Sequence, residues 1–205
     1  MNSNGKSATT EPTDSSSRAA LMEAAVALMA EKGYHGTSMS DLESLSGLGR
    51  SSIYHYIRGK EALLAEICSE STRRQAQIAK SIVEKSVPAR DALYCLIKSL
   101  VTEIIRNRQR ALVSLREMTY LTGEYRKSVL KLRSEYEEYW RIVLKRAADE
   151  KLIDEFSEFD LNAILGMVNY SAIWLHRVPG ERVDTMAARF TKIALHGLAS
   201  QDMKP

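Results

Sequence analysis

The chain has 205 residues, 44% of them hydrophobic, with 29 Lys and Arg against 26 Asp and Glu and a formal net charge of +3. That suits one or two small domains with a proper core, and so small a charge does not by itself argue for nucleic acid. The first residues, Met1 to Asp14, are rich in Ser and Thr and hold no apolar run, which excludes a signal peptide or membrane anchor there.

Residues 1–14 read as a disordered arm. A helix follows over Arg18 to Gly33, with Leu21, Ala24, Ala25, Leu28 and Met29 in one apolar stripe and Gly33 as its stop. The stretch from Thr37 to Leu63 is the most informative. Ser38 and Asp41 form an S-x-x-D capping box that opens a short helix, with Leu42 and Leu45 as its apolar contacts. Gly47 supplies a left-handed stop, and Leu48 turns back to the core.

A second short helix starts at Gly49 or Ser51. Ile53 and Ile57, four apart, face inward, so Arg50, Tyr54 and His55 face outward. Ser51 and Ser52 are small enough for close backbone approach to base edges and phosphates. Tyr and His are good phosphate donors, and Lys60 adds a cation at the free amide end of a third helix. No carboxylate lies between Glu43 and Glu61. This is the surface a helix-turn-helix presses into a DNA major groove, and the candidate contacts are Thr37, Ser38, Gly49, Arg50, Ser51, Ser52, Tyr54, His55 and Lys60. Arg18 to Glu61 holds five basic and five acidic residues, so affinity must come from this local edge, doubled by dimerisation.

The remainder is helical in period, without alternating strand runs or internal repeats. One long helix runs from Lys60 towards Lys85 with Leu63, Leu64, Ile67, Ile78 and Ile82 inward. Another starts at Pro88 and buries Leu93, Leu96, Ile97, Leu100, Val101, Ile104 and Ile105. Arg106 to Arg110 reads as a polar corner, followed by a helix over about 111–121 broken near Gly123. Residues 124–152 make one long helix and 154–160 an acidic loop. The last helices cover about 161–177 and 183–198, separated by Val178 to Glu181. Cys68 and Cys95 both fall in helical patterns, which favours buried, reduced thiols in a cytoplasmic setting over a disulfide or metal site.

The run from Arg18 to Ser38, the glycine corner, and above all Tyr54-His-Tyr-Ile-x-x-Lys-Glu-x-Leu63 resemble the DNA-binding domain of the TetR family of bacterial one-component transcriptional regulators. Ile57 stands where the family usually carries phenylalanine, and Gly59 replaces a usual polar N-cap. The resemblance implies an all-α protein of about nine helices. Residues 15–62 would form a three-helix DNA-binding domain, and residues 63–205 a larger helical domain for effector binding and dimerisation. It implies a homodimer joined through the last two helices, for which Leu161, Leu165, Val168, Ala172, Met186, Phe190 and Ile193 offer apolar area. By periodicity alone these residues are equally ordinary core. A two-fold dimer sets its reading helices about 34–36 Å apart, or a multiple, on a palindromic operator.

The regulatory half is rich in aromatics, and polar tips on apolar bodies suit a pocket for a bulky apolar effector as well as they suit a packed bundle. The candidate lining is Tyr94, Met118, Tyr139, Trp140, Asn169, Tyr170, Trp174 and Arg177. Arg116 and Glu117 read as solvated or ion-paired surface. Trp174 to Gly180 resembles the end of the eighth helix in regulators of fatty-acid and steroid-ring catabolism, which implies an acyl-CoA effector. A toxic aromatic ligand controlling efflux is the alternative, as is action as an activator. The expected partners are double-stranded operator DNA, a small apolar effector and a second copy of the chain, with no cofactor and no membrane. No nucleophile elbow, H-E-x-x-H or phosphate-binding glycine loop is present, and His35, His55, His176 and His196 are scattered, so neither an enzyme nor a metal centre is expected. A helical adaptor that never touches DNA is the remaining rival.

Overall fold

A computed structural model describes residues 14–177 and 182–198. Among them are nine α-helices, two 3₁₀ turns and no strand. The arm before Asp14 and the 178–181 corner lie outside the described residues.

The first three helices are set by local signals, and the second and third are short. α1 (Asp14–Gly36) leaves helical geometry at Gly33, where φ is 75° and ψ 170°. α2 (Met39–Ser46) opens on the expected capping box. Asp41 N–H donates to Ser38 Oγ at 3.0 Å, and Ser38 N–H donates to Asp41 Oδ2 at 2.9 Å. Gly47 closes α2 in the left-handed region at φ 70°, which an L side chain enters only at a cost of about 1–2 kcal/mol. α3 (Arg50–Tyr56) starts after Gly49 and ends at Ile57.

α4 (Lys60–Val83) joins two separate cores. Its first half gives Leu63, Leu64, Ile67 and Cys68 to a small core with Leu21, Ala25, Met29, Leu42 and Ile53. Val113, Leu121 and Val129, from later in the chain, complete that core. Its second half gives Ala79 and Ile82 to a larger core built on α5 (Ala89–Arg106), α6 (Arg108–Glu117), α7 (Gly123–Asp149), α8 (Glu158–Trp174) and α9 (Val183–Leu198). Trp140 is the largest fully buried side chain. Pro88 sits just before α5, where its missing N–H costs nothing.

Several sequence expectations shift. Leu45, Ile78 and Ile105 are exposed, because helical period identifies a stripe but not its outermost members. Cys68 is buried as expected, whereas Cys95 is exposed on the outer side of α5. The helix expected over 111–121 begins three residues earlier, at Arg108, and ends in a 3₁₀ turn, Met118–Tyr120. The acidic loop is shorter than expected. Ser157 and Asp160 form a second capping box, so α8 already begins at Glu158. A 3₁₀ turn, Leu175–Arg177, follows α8.

Candidate nucleic-acid interface and effector cavity

α3 exposes one continuous polar surface. Arg50, Ser51, Ser52, Tyr54 and His55 are all exposed, while Ile53 is buried and Ile57 half-buried against the small core. Arg50 Nε lies 3.8 Å from Glu43 Oε1, a loose surface pair that a phosphate or guanine edge can displace. Gly49 is exposed, and the space a Cβ would fill there is open. Arg58, between α3 and α4, is also exposed and belongs on this edge.

Two expected contacts turn inward. Thr37 is 1% exposed and its hydroxyl donates to the Gly33 carbonyl at 2.9 Å, sealing the exit from α1. Lys60 Nζ donates to the Thr37 carbonyl at 2.8 Å and stands 4.6 Å from the centre of the Tyr34 ring. Its charge therefore ties α4 to the α1 exit. Ser38 is exposed, but its hydroxyl donates to Asp41 Oδ2 at 2.6 Å, leaving the α2 terminus as a positioned backbone edge.

A cavity of about 130 Å³ opens between α4, α5, α6, α7 and α8. Its apolar wall includes Leu100, Ile104, Leu115 and Leu165, and its polar groups include Thr72, Gln75, Ser114, Arg133, Tyr136 and Asn169. Of the eight residues expected at an effector site, Met118 and Asn169 line it. The others go elsewhere. Trp140 is core, Tyr139 packs against that core, and Trp174 packs on Phe190. Tyr94 Oη pairs with Asp184 at 3.0 Å, and Tyr170 and Arg177 are exposed. A bulky aromatic in a helical bundle is more often packing than lining, and these obey that rule.

Arg133 was missed, and Tyr136, one of the aromatics of this half, was left out of the expected lining, although a signal was present. Val129, Arg133, Tyr136, Trp140, Val143 and Ala147 recur every three to four residues on α7, and Arg133 is the one charge in that inward register. Arg133 donates to Met118 Sδ at 3.2 Å and is half-buried. Burial holds the Tyr136 phenol well above its ordinary pKa, so it stays a neutral donor. The other charges at the cavity are neutralised. Arg74 Nη2 donates to Glu103 at 2.7 Å, and Arg141 lies 3.6 Å from Glu137.

Head and body meet at a strap running from Glu117 to Thr122. Tyr34 N–H donates to Glu117 Oε2 at 2.8 Å, so Glu117, read as solvated or ion-paired surface, is held by a backbone amide of α1. Tyr120 stacks on Tyr34 at 5.8 Å and meets the His35 ring edge-on at 4.4 Å. Thr122 N–H donates to Glu61 Oε1 at 2.6 Å. Arg110, expected on a polar corner, is buried and donates to Glu70 Oε2 at 2.6 Å and Glu23 Oε1 at 3.0 Å, tying α6 to α4 and α1.

Six of the seven residues expected at a dimer interface, Leu161, Leu165, Val168, Ala172, Met186 and Phe190, are buried within the chain itself. Ile193 alone of that set is exposed, at 55%. The apolar surface these helices do offer lies on the outer face of α8, where Phe159 is 79% and Tyr170 57% exposed, with Ala163 and Gly166 exposed between them. α8 is apolar around its whole circumference, so periodicity could not separate its two faces. Among the described residues, no helix is long and apolar enough to cross a membrane, and no three His, Cys, Asp or Glu side chains are grouped to hold a metal ion.

Residues 21–67 match the family model for bacterial regulatory proteins of the tetR family, and residues 86–198, more than half of the chain, match that for a tetracyclin repressor-like C-terminal domain. The HTH-type transcriptional repressor KstR2 of Rhodococcus jostii is 26% identical over 186 residues, 89% of this chain and 91% of its own. The TetR family regulator PfmR of Thermus thermophilus superposes with a TM-score of 0.78 at 26% identity, covering 88% of this chain and 99% of that one. FadR of Bacillus subtilis, solved with stearoyl-CoA, shares the fold at a TM-score of 0.72 and 18% identity, covering 87% and 98%. With both halves matched by family models, this chain belongs to the TetR family and is a DNA-binding transcriptional regulator, not an enzyme.

Proposed function

We propose that the chain is a homodimeric repressor that holds a palindromic operator through α3 and releases it when a small effector fills the cavity. The observation that carries this reading is the α3 surface: five outward positions, 50, 51, 52, 54 and 55, all exposed and free of carboxylate, flank the buried Ile53. Arg50 and Tyr54 are the base and phosphate contacts, Ser51, Ser52 and Gly49 let the backbone approach, and His55 and the Ser38 end of α2 position it on the duplex. Thr37 and Lys60 support that surface from inside. The labour divides within α4, whose two halves serve the two cores. The protein works in the compartment that holds its DNA, the cytoplasm.

Dimerisation uses the outer face of α8, from Phe159 through Ala163 and Gly166 to Tyr170, with Ile193 of α9 beside it. So much exposed apolar side chain on one helix supports a mate there. The effector is an apolar acid carried as a CoA thioester, a reading supported by the stearoyl-CoA bound to FadR of Bacillus subtilis. A cavity of 130 Å³ takes a short or cyclic acyl group without opening. Binding shifts the population to a state whose reading helices no longer fit the half-sites, and a swing from 1:99 to 99:1 needs about 5.5 kcal/mol of preference.

The test is a footprint and mobility-shift titration on the DNA upstream of the protein's own gene. Arg50→Ala and Tyr54→Ala should each weaken operator binding by about 1–3 kcal/mol while helicity and dimer mass stay unchanged. Unaltered affinity in both variants means that α3 is not the reading helix.

A further inference from the structure

The cavity is not a plain apolar hole. Tyr136 is 8% exposed, lines the cavity, and its phenol proton has no acceptor among the described residues. Trp140 Nε1, one turn along α7, is a donor only and cannot take the phenol's proton. Ser114 Oγ, on the α6 wall, is likewise buried, with only the Cys68 thiol, a weak acceptor, beside it among the described residues. Leaving a buried donor unsatisfied costs stability, so a phenol proton with no acceptor beside a serine hydroxyl that meets only a thiol marks the place of an absent oxygen acceptor. Arg133 sits three residues before Tyr136, about 4.5 Å along the helix axis, and is half-buried where Tyr136 is buried. Its guanidinium donates to the Met118 thioether, a weak acceptor, and forms no ion pair among the described residues, while both cavity carboxylates are held by other arginines. The site thus presents neutral donors at its deep end and an uncompensated cation at its shallow end.

We propose that the effector is a compact, single-ring or short branched acid bearing an oxygen on its apolar end. Tyr136 and Ser114 donate to that oxygen, and Arg133 binds the anion. The size follows from the volume, since a cavity of about 150 Å³ holds one benzene-sized ring. The anion can be a free carboxylate or the phosphates of a CoA thioester. This deepens the effector reading and rests on it. Saturated straight chains and neutral drugs lack one or both features.

The full-length protein on its operator should be titrated with 4-oxocyclohexanecarboxylate, cyclohexanecarboxylate and 4-oxocyclohexanecarboxamide, and with the CoA thioesters of the two acids. Thermal shift reads binding, and fluorescence anisotropy of labelled operator reads release. The keto acid or its thioester should bind about tenfold more tightly than the matching deoxy probe. Tyr136→Phe should abolish that ratio while leaving the deoxy probe unchanged, and Ser114→Ala should narrow it. Arg133→Gln should weaken every anionic probe about tenfold or more and leave the carboxamide alone. If the acid wins over the thioester, the anion is the carboxylate; the reverse assigns it to the carrier. Equal affinity of keto and deoxy probes, or a ratio that survives Tyr136→Phe, overturns the proposal. Release by both thioesters with equal affinity overturns it while sparing the effector reading, whereas release by neutral, oxygen-free toluene with none by any acid or thioester removes the thioester reading as well. No release by any compound removes both.

Discussion

The helix-turn-helix corner and the five-helix cavity are built in opposite ways. The corner is local: within 27 residues, a capping box, a left-handed glycine and one buried isoleucine fix two helices and decide which side chains of α3 face out. The cavity is assembled from five helices, with lining residues as far apart as Cys68 and Asn169. A local site tolerates change in the rest of the chain, provided its own few anchors hold. A non-local one responds to any shift of the helices around it, which is what a sensor needs.

The sharpest way to break the comparison is to remove an anchor of the corner. Ile53→Ala deletes a fully buried side chain at the centre of α3 and should cost about 2–5 kcal/mol of unfolding free energy, read from urea denaturation. Operator binding should fall with it. Leu45→Ala, nearby but exposed, should move stability by no more than about 0.5 kcal/mol. If the two substitutions cost the same, the corner is not held by the small core as described.

This contrast also explains what could be read in advance. The Ser38–Asp41 box, the Gly47 stop and the outward set of α3 depend on neighbours three or four residues away, so spacing alone revealed them. The internal bonds of Thr37 and Lys60 were not legible because their partners, Gly33 and Tyr34, belong to the exit from α1, and nothing in spacing says that this exit folds back over them. The cavity was legible only at Met118 and Asn169. Aromatic content drew attention to Trp140 and Trp174, whose large bodies the core had already taken. Arg133 in the apolar register of α7 was the better clue, because a charge in a buried stripe must have a reason. On α8 and α9 the choice fell on the buried stripe, and the outer face of Phe159 and Tyr170 emerged only once tertiary packing had covered the other side.

A smaller effect isolates the local part of the corner. Ser38→Ala removes the hydroxyl that caps α2 and should cost about 1 kcal/mol, measured by urea denaturation without DNA. Ser157→Ala makes the same change at the start of α8, where the corresponding bond is longer, 3.4 Å against 3.0 Å. The Ser38 variant should therefore be the more damaging of the two. The opposite order would mean that the α2 cap is already redundant with packing around Leu42.

The smallest expected effect separates charge from shape at the same cap. The Ser38 hydroxyl, then the Ser38 N–H, then the Lys32 ammonium at 3.1 Å hold the Asp41 carboxyl down to about 2. A pKa lower in the folded state than in the unfolded chain, where it is about 3.9, adds stability above the unfolded value. That contribution fades as pH falls through about 4 towards 2. Asp41→Asn keeps an acceptor for the Ser38 N–H but carries no charge. The gap in urea midpoint between wild type and this variant should be constant above pH 5 and close progressively on acidification to pH 2.5. Because Lys32 and Asp41 are both partly in water, 0.5 M salt should shrink the gap without removing it, the two Ser38 bonds being unscreened. A gap that ignores pH would assign the stabilisation of α2 to hydrogen-bond shape alone and leave its dipole without a role.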